Sequence, residues 1–529
     1  MLKAPPTLGQ VLTAQARLQP DRRAAQDFTR AMTYREWNER ACRLANGLLG
    51  LGLSKGDRVA VLAYNRIEWA EIYAATAKAG LVAVPINFRL TGQEALHILE
   101  DSGAAAILVD PPLCAVLEEV RTSIDLPDSR ILTFASPDDP AATGGGYEDL
   151  IAGASDREPT VEVGADDPWC LMYTSGTTGR PKGAIRGHRG MAMLALMTEV
   201  ELSLHRRDTA LLVMPMCHAN SLNFFSSFVY CGGGVAIYSQ KSFDPARCLR
   251  AFADTGASFT SLVPTQYTML LEVPEAERAA SGFERVEKLM ISSAPALADT
   301  KRAIMEMFPN SGLFELYGST EAGWVTMLHP HEQFEKLGSV GREVVGSQPI
   351  RLLDDEGLEV PDGQPGELFS CSPYCFDGYW KNPEKTAEVL RGDYLTVGDI
   401  ALRDEDGFIR LIDRKKNLII SGGENIYPSE VETVLGAHPA VRDVAVVGRP
   451  DPKWGESVQA AVVLRRGKTL DEAALIAWAK DRLAGYKRPR EIVFLAPEEM
   501  PRNATGKILH RELRDLLAKR RAANKANQE

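Results

Sequence analysis

Residues 173–183 read Tyr-Thr-Ser-Gly-Thr-Thr-Gly-Arg-Pro-Lys-Gly. Thr174, Ser175, Thr177 and Thr178 supply hydroxyl donors, Gly176 and Gly179 let the backbone approach an anion, and Arg180 and Lys182 supply charge. Such a loop suits the oxygens of a polyphosphate. It is not a Walker loop, because Pro181 falls where the second glycine should stand, five residues after Gly176, and Lys182 is followed by Gly183, not by a hydroxyl residue. A plain Gly/Ser/Thr surface loop is the blander alternative. The apolar run 169–173 just upstream reads as a buried strand and a helical pattern follows from about residue 187. The loop therefore sits at a strand end, where α/β sheets bind ligands.

Four further segments carry chemistry. In residues 315–321, Tyr317 offers a flat face to a purine, Gly318 allows close approach, and Thr320 and Glu321 suit phosphate and a hard divalent cation. A helix N-cap is the alternative for Thr320 and Glu321. Asp399, on a turn after Gly398, suits the paired hydroxyls of a ribose, though any turn aspartate looks alike. Residues 413–417 form a charged knot leading into Ser421-Gly422-Gly423-Glu424-Asn425, either a solvated linker or a hinge. Lys507 stands on a glycine turn near the C-terminus, where it is either merely exposed or a point charge for a developing anion.

The elements that must position these residues follow from periodicity. Apolar runs at 57–62, 82–86, 105–109, 209–214, 235–238, 258–263, 288–292 and 312–316 read as strands, separated by helical patterns such as 69–78. This is layered α/β architecture with largely parallel sheets. Between about 338 and 412, Gly, Pro and Asp turns break short strands into a small β-rich subdomain. After 413 a compact α+β unit is expected: helix 428–435, strands 441–447 and 460–464, helix 470–483 and strand 491–495. The division is thus an N-terminal domain of residues 1–413, its β-rich subdomain at about 338–412, and a C-terminal domain of 414–529.

Length and composition limit the rest. A chain of 529 residues exceeds one hydrophobic core. A net charge of −11 argues against a nucleic-acid partner. No run approaches the ~20 apolar residues of a membrane span. Residues 1–12 lack a sustained apolar stretch and do not read as a signal peptide. Eight cysteines without paired spacing fit a reduced, cytoplasmic protein rather than a zinc site.

In this order and spacing the segments resemble the adenylate-forming superfamily: acyl-CoA synthetases, adenylation domains of peptide synthetases, and beetle luciferases. The resemblance rests on the 173–183 loop, Tyr317 to Glu321, Gly398-Asp399, Asp413-Arg414, Gly422 to Asn425 and Thr505-Gly506-Lys507, and runs over nearly the whole chain. It implies a large α/β N-terminal domain, a small mobile C-terminal domain, and an ATP- and Mg²⁺-dependent acyl-CoA ligase. A carboxylic acid and ATP give acyl-adenylate and pyrophosphate, and the thiol of coenzyme A then displaces AMP.

Residue by residue, the resemblance implies that Lys507 bridges carboxylate and α-phosphate. Glu321, with Thr174, holds Mg²⁺. Thr174, Ser175, Gly176, Thr177, Thr178, Gly179 and Lys182 cradle the outer phosphates. Ser293, Ala294, Pro295, Glu315, Leu316, Tyr317, Gly318, Ser319 and Thr320 surround the nucleotide, with Tyr317 stacked on adenine. Asp399 and Arg414 hold the ribose. Lys416 matches the hinge, about which the small domain rotates to bring Gly422, Gly423, Glu424 and Asn425 to the nucleotide and the pantetheine channel. His218, Ser221, Phe225, Val263, Ser292 and Trp324 line the acid site, His218 at its mouth and counted among the catalytic residues. Small lining residues point to a bulky or extended apolar acid, such as a fatty acid. No aspartate stands where peptide-synthetase domains hold an amino group. Ala296 stands where many relatives carry Leu, and Ile420 where aryl-activating relatives often carry Lys, so the resemblance supports no specific claim for a coumarate-type acid. Loading of a carrier protein and a non-catalytic adenylate-binding protein are the alternatives, and a homodimer is the family-level expectation.

Overall fold

The computed structural model describes residues 4–526 apart from 136–145, 175–180, 294–295, 423, 481, 503–505 and 507. The chain forms two compact units, one of residues 1–349 with 370–395 and the other of 350–369 with 396–529.

The larger unit is built on two mainly parallel sheets. In the first, strands Gly312–Ser319, Lys288–Ser292, Phe259–Leu262, Thr209–Leu212, Gly234–Ile237 and Arg23–Gln26 lie side by side in parallel. Antiparallel strands close both edges: Gly323–Leu328 and Arg342–Glu343 at one, Ala31–Thr33 at the other. The second sheet runs Ile131–Thr133, Ala104–Val109, Arg58–Leu62, Val82–Ile86, Pro168–Thr174, Lys182–Gly187, all parallel except the final pair. The eight runs expected from the sequence are all among these strands, with ends moved by at most three residues, and strands such as Arg23–Gln26, Lys182–Gly187 and Gly323–Leu328 join them without having been expected.

Helix Glu68–Ala79 shows why both sheets share one core. Every one of its residues is buried, because apolar residues occupy most of its circumference: Trp69, Ile72, Tyr73 and five alanines join one core cluster with residues from strands of both sheets. Its buried charges are paired. Glu71 accepts from Arg30 and Arg40 at 2.8 Å each and from the Tyr147 hydroxyl at 2.7 Å, and Lys78 binds Glu158 at 2.8 Å. Breaking one such partner would strand a buried charge, at a cost of about 3–5 kcal/mol.

The smaller unit holds an antiparallel sheet of Arg351–Leu353, Gly366–Phe369, Asp399–Arg403 and Ile409–Arg414, and a second sheet centred on Val441–Asp451 and Gly455–Leu464. In the latter pair both faces are apolar. Val446, Val458, Ala460 and Val462 face helices Pro428–Gly436 and Glu472–Lys480, while Ala445, Val447, Ala461 and Val463 face helix His510–Ala526. Alternate residues point to opposite faces, so a continuous apolar run marks a strand covered on both sides. No helix among the described residues is long and apolar enough to cross a membrane.

Candidate active site

The 173–183 segment is a hairpin connection. Strand Pro168–Thr174 pairs antiparallel with Lys182–Gly187, and Thr174 faces Lys182 across the ladder. The helix expected near 187 does follow, as His188–Leu202, but a strand comes first. Lys-Gly-Ala-Ile-Arg-Gly has too little alternation to reveal one; its strand character comes from pairing on both sides. Ile185 donates its N–H to Gly378 at 2.9 Å, and Asp377 and Trp380 donate to Ile185 and Gly183 at 3.0 and 2.7 Å. Ser175, Gly176, Thr177, Thr178 and Gly179 lie outside the described residues, so only the two feet of the loop, Thr174 and Lys182, have a described geometry.

Those feet meet Glu321. Thr174 Oγ1 donates to Glu321 Oε1 at 3.2 Å, across 147 positions of sequence. The Tyr379 hydroxyl donates to the same oxygen at 2.8 Å, and Lys182 Nζ lies 4.2 Å from the centre of the Tyr379 ring. Burial lowers the Lys182 pKa while the Glu321 carboxylate opposes that shift. Two hydroxyls thus fix one oxygen of a buried carboxylate. Oxygen donors alone, one carboxylate among them, are what Mg²⁺ accepts alongside phosphate oxygens and water, so the residues fit that ion.

Tyr317 to Thr320 end strand Gly312–Ser319, which turns back into Gly323–Leu328. Gly318 has a reason the sequence does not disclose: a Cβ there would stand 2.1 Å from the Gly323 carbonyl oxygen, so the neighbouring strand itself excludes any side chain. The Glu315 carboxylate is bound through one oxygen by buried Lys301, and Leu316 packs in the core. Ser293, at the end of strand Lys288–Ser292, holds φ 71°, a left-handed value that a serine seldom adopts outside constrained sites. Ala294 and Pro295 are outside the described residues.

Around the expected acid site, His218 precedes helix Ala219–Tyr230. Its Nε2 is buried without a hydrogen-bond partner among the described residues, and burial, with Arg89 adding to it, pulls its pKa down to about 4. The imidazole is neutral at pH 7. Asn220 Nδ2 donates to Ser261 Oγ at 3.1 Å and to Ser292 Oγ at 3.2 Å, tying the helix start to two strand ends. Ser221 donates to the Met214 carbonyl at 2.7 Å, and Val263 is buried just before helix Pro264–Leu271. Trp324 Nε1 donates to Thr198 Oγ1 at 2.9 Å.

Phe225 requires a correction. It is fully buried between Trp37 and Tyr73, at 5.8 and 5.6 Å, and belongs to the core. The aromatic that meets Trp324 is its neighbour Phe224, at 5.1 Å, because adjacent helix positions point about 100° apart. Asn220, Phe224 and Tyr379 were not singled out from the sequence. Tyr379 carried no signal at all, since its role depends on a loop far along the chain lying against the hairpin.

In the smaller unit, Asp399 and Arg414 face each other on paired strands, with Nε to Oδ1 at 3.0 Å. Lys416 lies in the short turn Lys415–Asn417, whose Lys415 binds Asp355 at 2.8 Å and Glu367 at 3.1 Å. Glu424 and Asn425 are exposed on strand Glu424–Ile426. Gly422 has φ 62°, and a Cβ there would reach the Trp454 ring at 2.9 Å. Trp454 is 38% exposed, with Lys453 Nζ 4.6 Å and Arg490 Cζ 5.9 Å from its ring. Gly423 and Lys507 lie outside the described residues.

Comparison with known proteins decides the family. The model of the AMP-binding enzymes matches residues 12–380, and that of the AMP-binding enzyme C-terminal domain matches 430–507. The chain belongs to the AMP-binding enzymes. This AMP-binding enzyme is 37% identical over 508 residues to a feruloyl-CoA synthase of Amycolatopsis sp, covering 96% of this chain and 98% of the relative. It is 35% identical over 490 residues to a long-chain-fatty-acid–CoA ligase of Mycobacterium tuberculosis, covering 92% and 93%. Its fold matches the O-succinylbenzoate coenzyme A synthetase of Bacillus subtilis in complex with ATP and magnesium ion, with TM-score 0.82, 29% identity, and 95% and 98% of the two chains covered. The enzyme is an AMP-forming acyl-CoA synthetase, an acid–thiol ligase that uses ATP, Mg²⁺ and coenzyme A.

Proposed function

We propose that Glu321, fixed by Thr174 and Tyr379 beside Lys182, is the centre of acid activation, and that the acid carries an uncharged, largely apolar tail. The observation that carries this reading is the shared carboxylate oxygen, at 3.2 Å from Thr174 and 2.8 Å from Tyr379. Hydroxyls that hold one oxygen leave the other to serve a cation. Glu321 and Thr174 would hold Mg²⁺, which when bound offsets charge on the phosphate oxygens. Lys182 places its ammonium where the leaving pyrophosphate gathers negative charge, the kind of preorganised contact that lowers a barrier most. The acid's carboxylate oxygen bonds to the α-phosphorus as the bond to the β-phosphate oxygen breaks. Lys507 acts at that step as a point charge between two anions.

In the second half-reaction the CoA sulfur bonds to the acyl carbon, AMP leaves with the bonding pair, and the thiol proton goes to solvent. The exposed Trp454 ring with Lys453 and Arg490 has the character of a seat for a purine and its phosphates, which supports a CoA contact there. Asp399 and Arg414 hold the ribose. The turn at Lys416 is the pivot between half-reactions, dividing residues 1–413 from 414–529. Ser175 to Gly179, Ser293 to Pro295 and Tyr317 to Thr320 complete the nucleotide site. His218, Ser221, Val263, Ser292 and Trp324 bound the acid, and a neutral imidazole there favours an acid tail without charge. The feruloyl and long-chain-fatty-acid specificities of the two relatives agree with an apolar tail. A cytoplasmic location and a homodimer complete the proposal, to be checked by fractionation and light scattering.

The test is pyrophosphate–ATP exchange over a panel of fatty and aryl acids, followed by CoA-dependent AMP release. Exchange with apolar acids and AMP release on adding CoA are expected. Exchange with charged or amino acids alone would overturn the acid assignment. Lys507→Ala should abolish exchange while sparing thioester formation from supplied acyl-adenylate; equal loss of both would refute the pivot.

A further inference from the structure

Strand Lys182–Gly187 carries a charge in its middle. Arg186 is 2% exposed, and among the described residues no carboxylate lies within ion-pair distance of it. Its Nη1 donates to the Thr320 carbonyl at 2.9 Å and its Nη2 approaches Met191 Sδ at 3.5 Å. A guanidinium taken out of water without a close counter-ion is costly. Burial accordingly pulls its pKa down, while Cys375, Asp377, Cys170 and Glu321 oppose that shift. An apolar residue would fill the position more cheaply, so the charge calls for an explanation.

Its neighbours supply one. Thr320, Glu321 and Ala322 form the connection between strands Gly312–Ser319 and Gly323–Leu328. Its first two carbonyls are pinned: Thr320 by Arg186, and Glu321 by the Phe376 N–H at 2.7 Å. Arg186 and Phe376 are themselves held together, since the strand bearing Arg186 bonds to residues 377–380 through Ile185 and Gly183. The foot of the phosphate loop, the Tyr379 segment and the Glu321 turn thus form one assembly, and Arg186 is the charged member inside it. A hydrogen bond from a cation is roughly twice as strong as a neutral one and keeps its direction in a dry interior.

We propose that Arg186 is a positioning residue for metal and nucleotide: it orients the Thr320–Glu321 turn through the Thr320 carbonyl and sets a buried positive charge behind the carboxylate that faces the cation. This rests on the reading of Glu321 as the Mg²⁺ contact. Arg186 touches neither substrate nor metal, so it should act on metal dependence rather than on acid recognition.

The experiment compares the full chain with Arg186→Met, which keeps bulk without charge, and Arg186→Lys, which keeps charge without the planar fork. Pyrophosphate exchange is measured against free Mg²⁺, and ATP binding is measured by calorimetry with and without Mg²⁺. For Arg186→Met the Mg²⁺ concentration at half-maximal exchange should rise about tenfold or more, the loss expected for one charge-assisted hydrogen bond. High Mg²⁺ should restore most of the rate, and the acid KM at saturating Mg²⁺ should stay within about twofold, since the acid contacts are untouched. Mg²⁺-assisted ATP binding should weaken in parallel, while binding without metal changes little. Arg186→Lys should fall between the two and covers the case in which the methionine variant does not fold. Mg²⁺ curves that superimpose on wild type, or a rate loss that Mg²⁺ does not restore, would overturn the proposal. Absence of exchange in the wild-type protein would instead refute the functional reading on which it rests.

Discussion

Replacing His188 with phenylalanine should remove much of the protein's sensitivity to mild acid. His188 is 1% exposed, its ring stacks on Trp169 at 5.7 Å and 18°, and neither ring nitrogen has a hydrogen-bond partner among the described residues. Burial, opposed by Asp167, holds its pKa at about 4 against an ordinary 6.5. The folded pKa is below the unfolded one, so between these values the unfolded chain carries the extra proton and stability is lost as pH falls. Integrated from pH 8 to pH 5, that interval amounts to about 2 kcal/mol for one such histidine. His218, also held at about 4, contributes a similar loss. Glu199 works in the opposite sense: burial raises its pKa to about 7, so the folded chain keeps a proton between 4.5 and 7 and gains stability as pH falls. Its partial exposure makes that gain smaller than the full shift implies.

The quantity to measure is therefore a double difference. Urea unfolding of the larger unit, followed by tryptophan fluorescence, gives stability at pH 8 and pH 5 for wild type and His188→Phe. The variant should lose about 2 kcal/mol less than wild type between the two pH values. Any effect of the larger ring on packing is common to both pH values and cancels. Equal acid losses in the two proteins, within about 0.5 kcal/mol, would refute the assignment of His188 as a neutral, unpartnered core residue.

Three substitutions test the site directly. Glu321→Gln keeps an acceptor for Tyr379 and Thr174 but removes the charge, and pyrophosphate exchange should drop at least ~100-fold with little change in melting temperature; a drop under tenfold would exclude Glu321 as the metal contact. Asp399→Asn breaks the 3.0 Å contact with Arg414 and should raise the ATP KM about tenfold while shrinking the preference for ATP over its deoxyribose analogues; an unchanged preference argues against ribose recognition there. Trp454→Ala should raise the CoA KM about tenfold and leave exchange intact, and parallel losses in both assays would indicate a structural role instead.

Much of this protein was legible before folding was considered. The strand runs at 82–86 and 288–292 appear as Val82–Ile86 and Lys288–Ser292, because buried parallel strands must be apolar on both faces and so stand out as unbroken runs. Strand Lys182–Gly187 did not stand out, because its stability derives from hydrogen bonds to partners on both sides rather than from a pattern of its own. Phe225 and Phe224 could not be told apart by type; only the helix phase, fixed by Trp37 and Tyr73 on one side and Trp324 on the other, separates them. Gly318 reads from the sequence as a place for close ligand approach, whereas the reason the structure gives for a glycine is the carbonyl of Gly323 on the next strand, which excludes any side chain.

The sequence alone determined which groups are available: hydroxyls and a lysine at the two feet of a glycine loop, a carboxylate at Glu321, a carboxylate at Asp399, and the order in which they occur. Those are local properties, carried by residue type and spacing. Tertiary structure decided which of these groups meet. Thr174 and Tyr379 meet one oxygen of Glu321 only because two strand ends and the 377–380 segment come together, and Arg186 acquires its task only when the Thr320 carbonyl is brought to it. Contacts between residues more than a hundred positions apart depend on sheet order and on burial, and neither is written in any one segment of the chain.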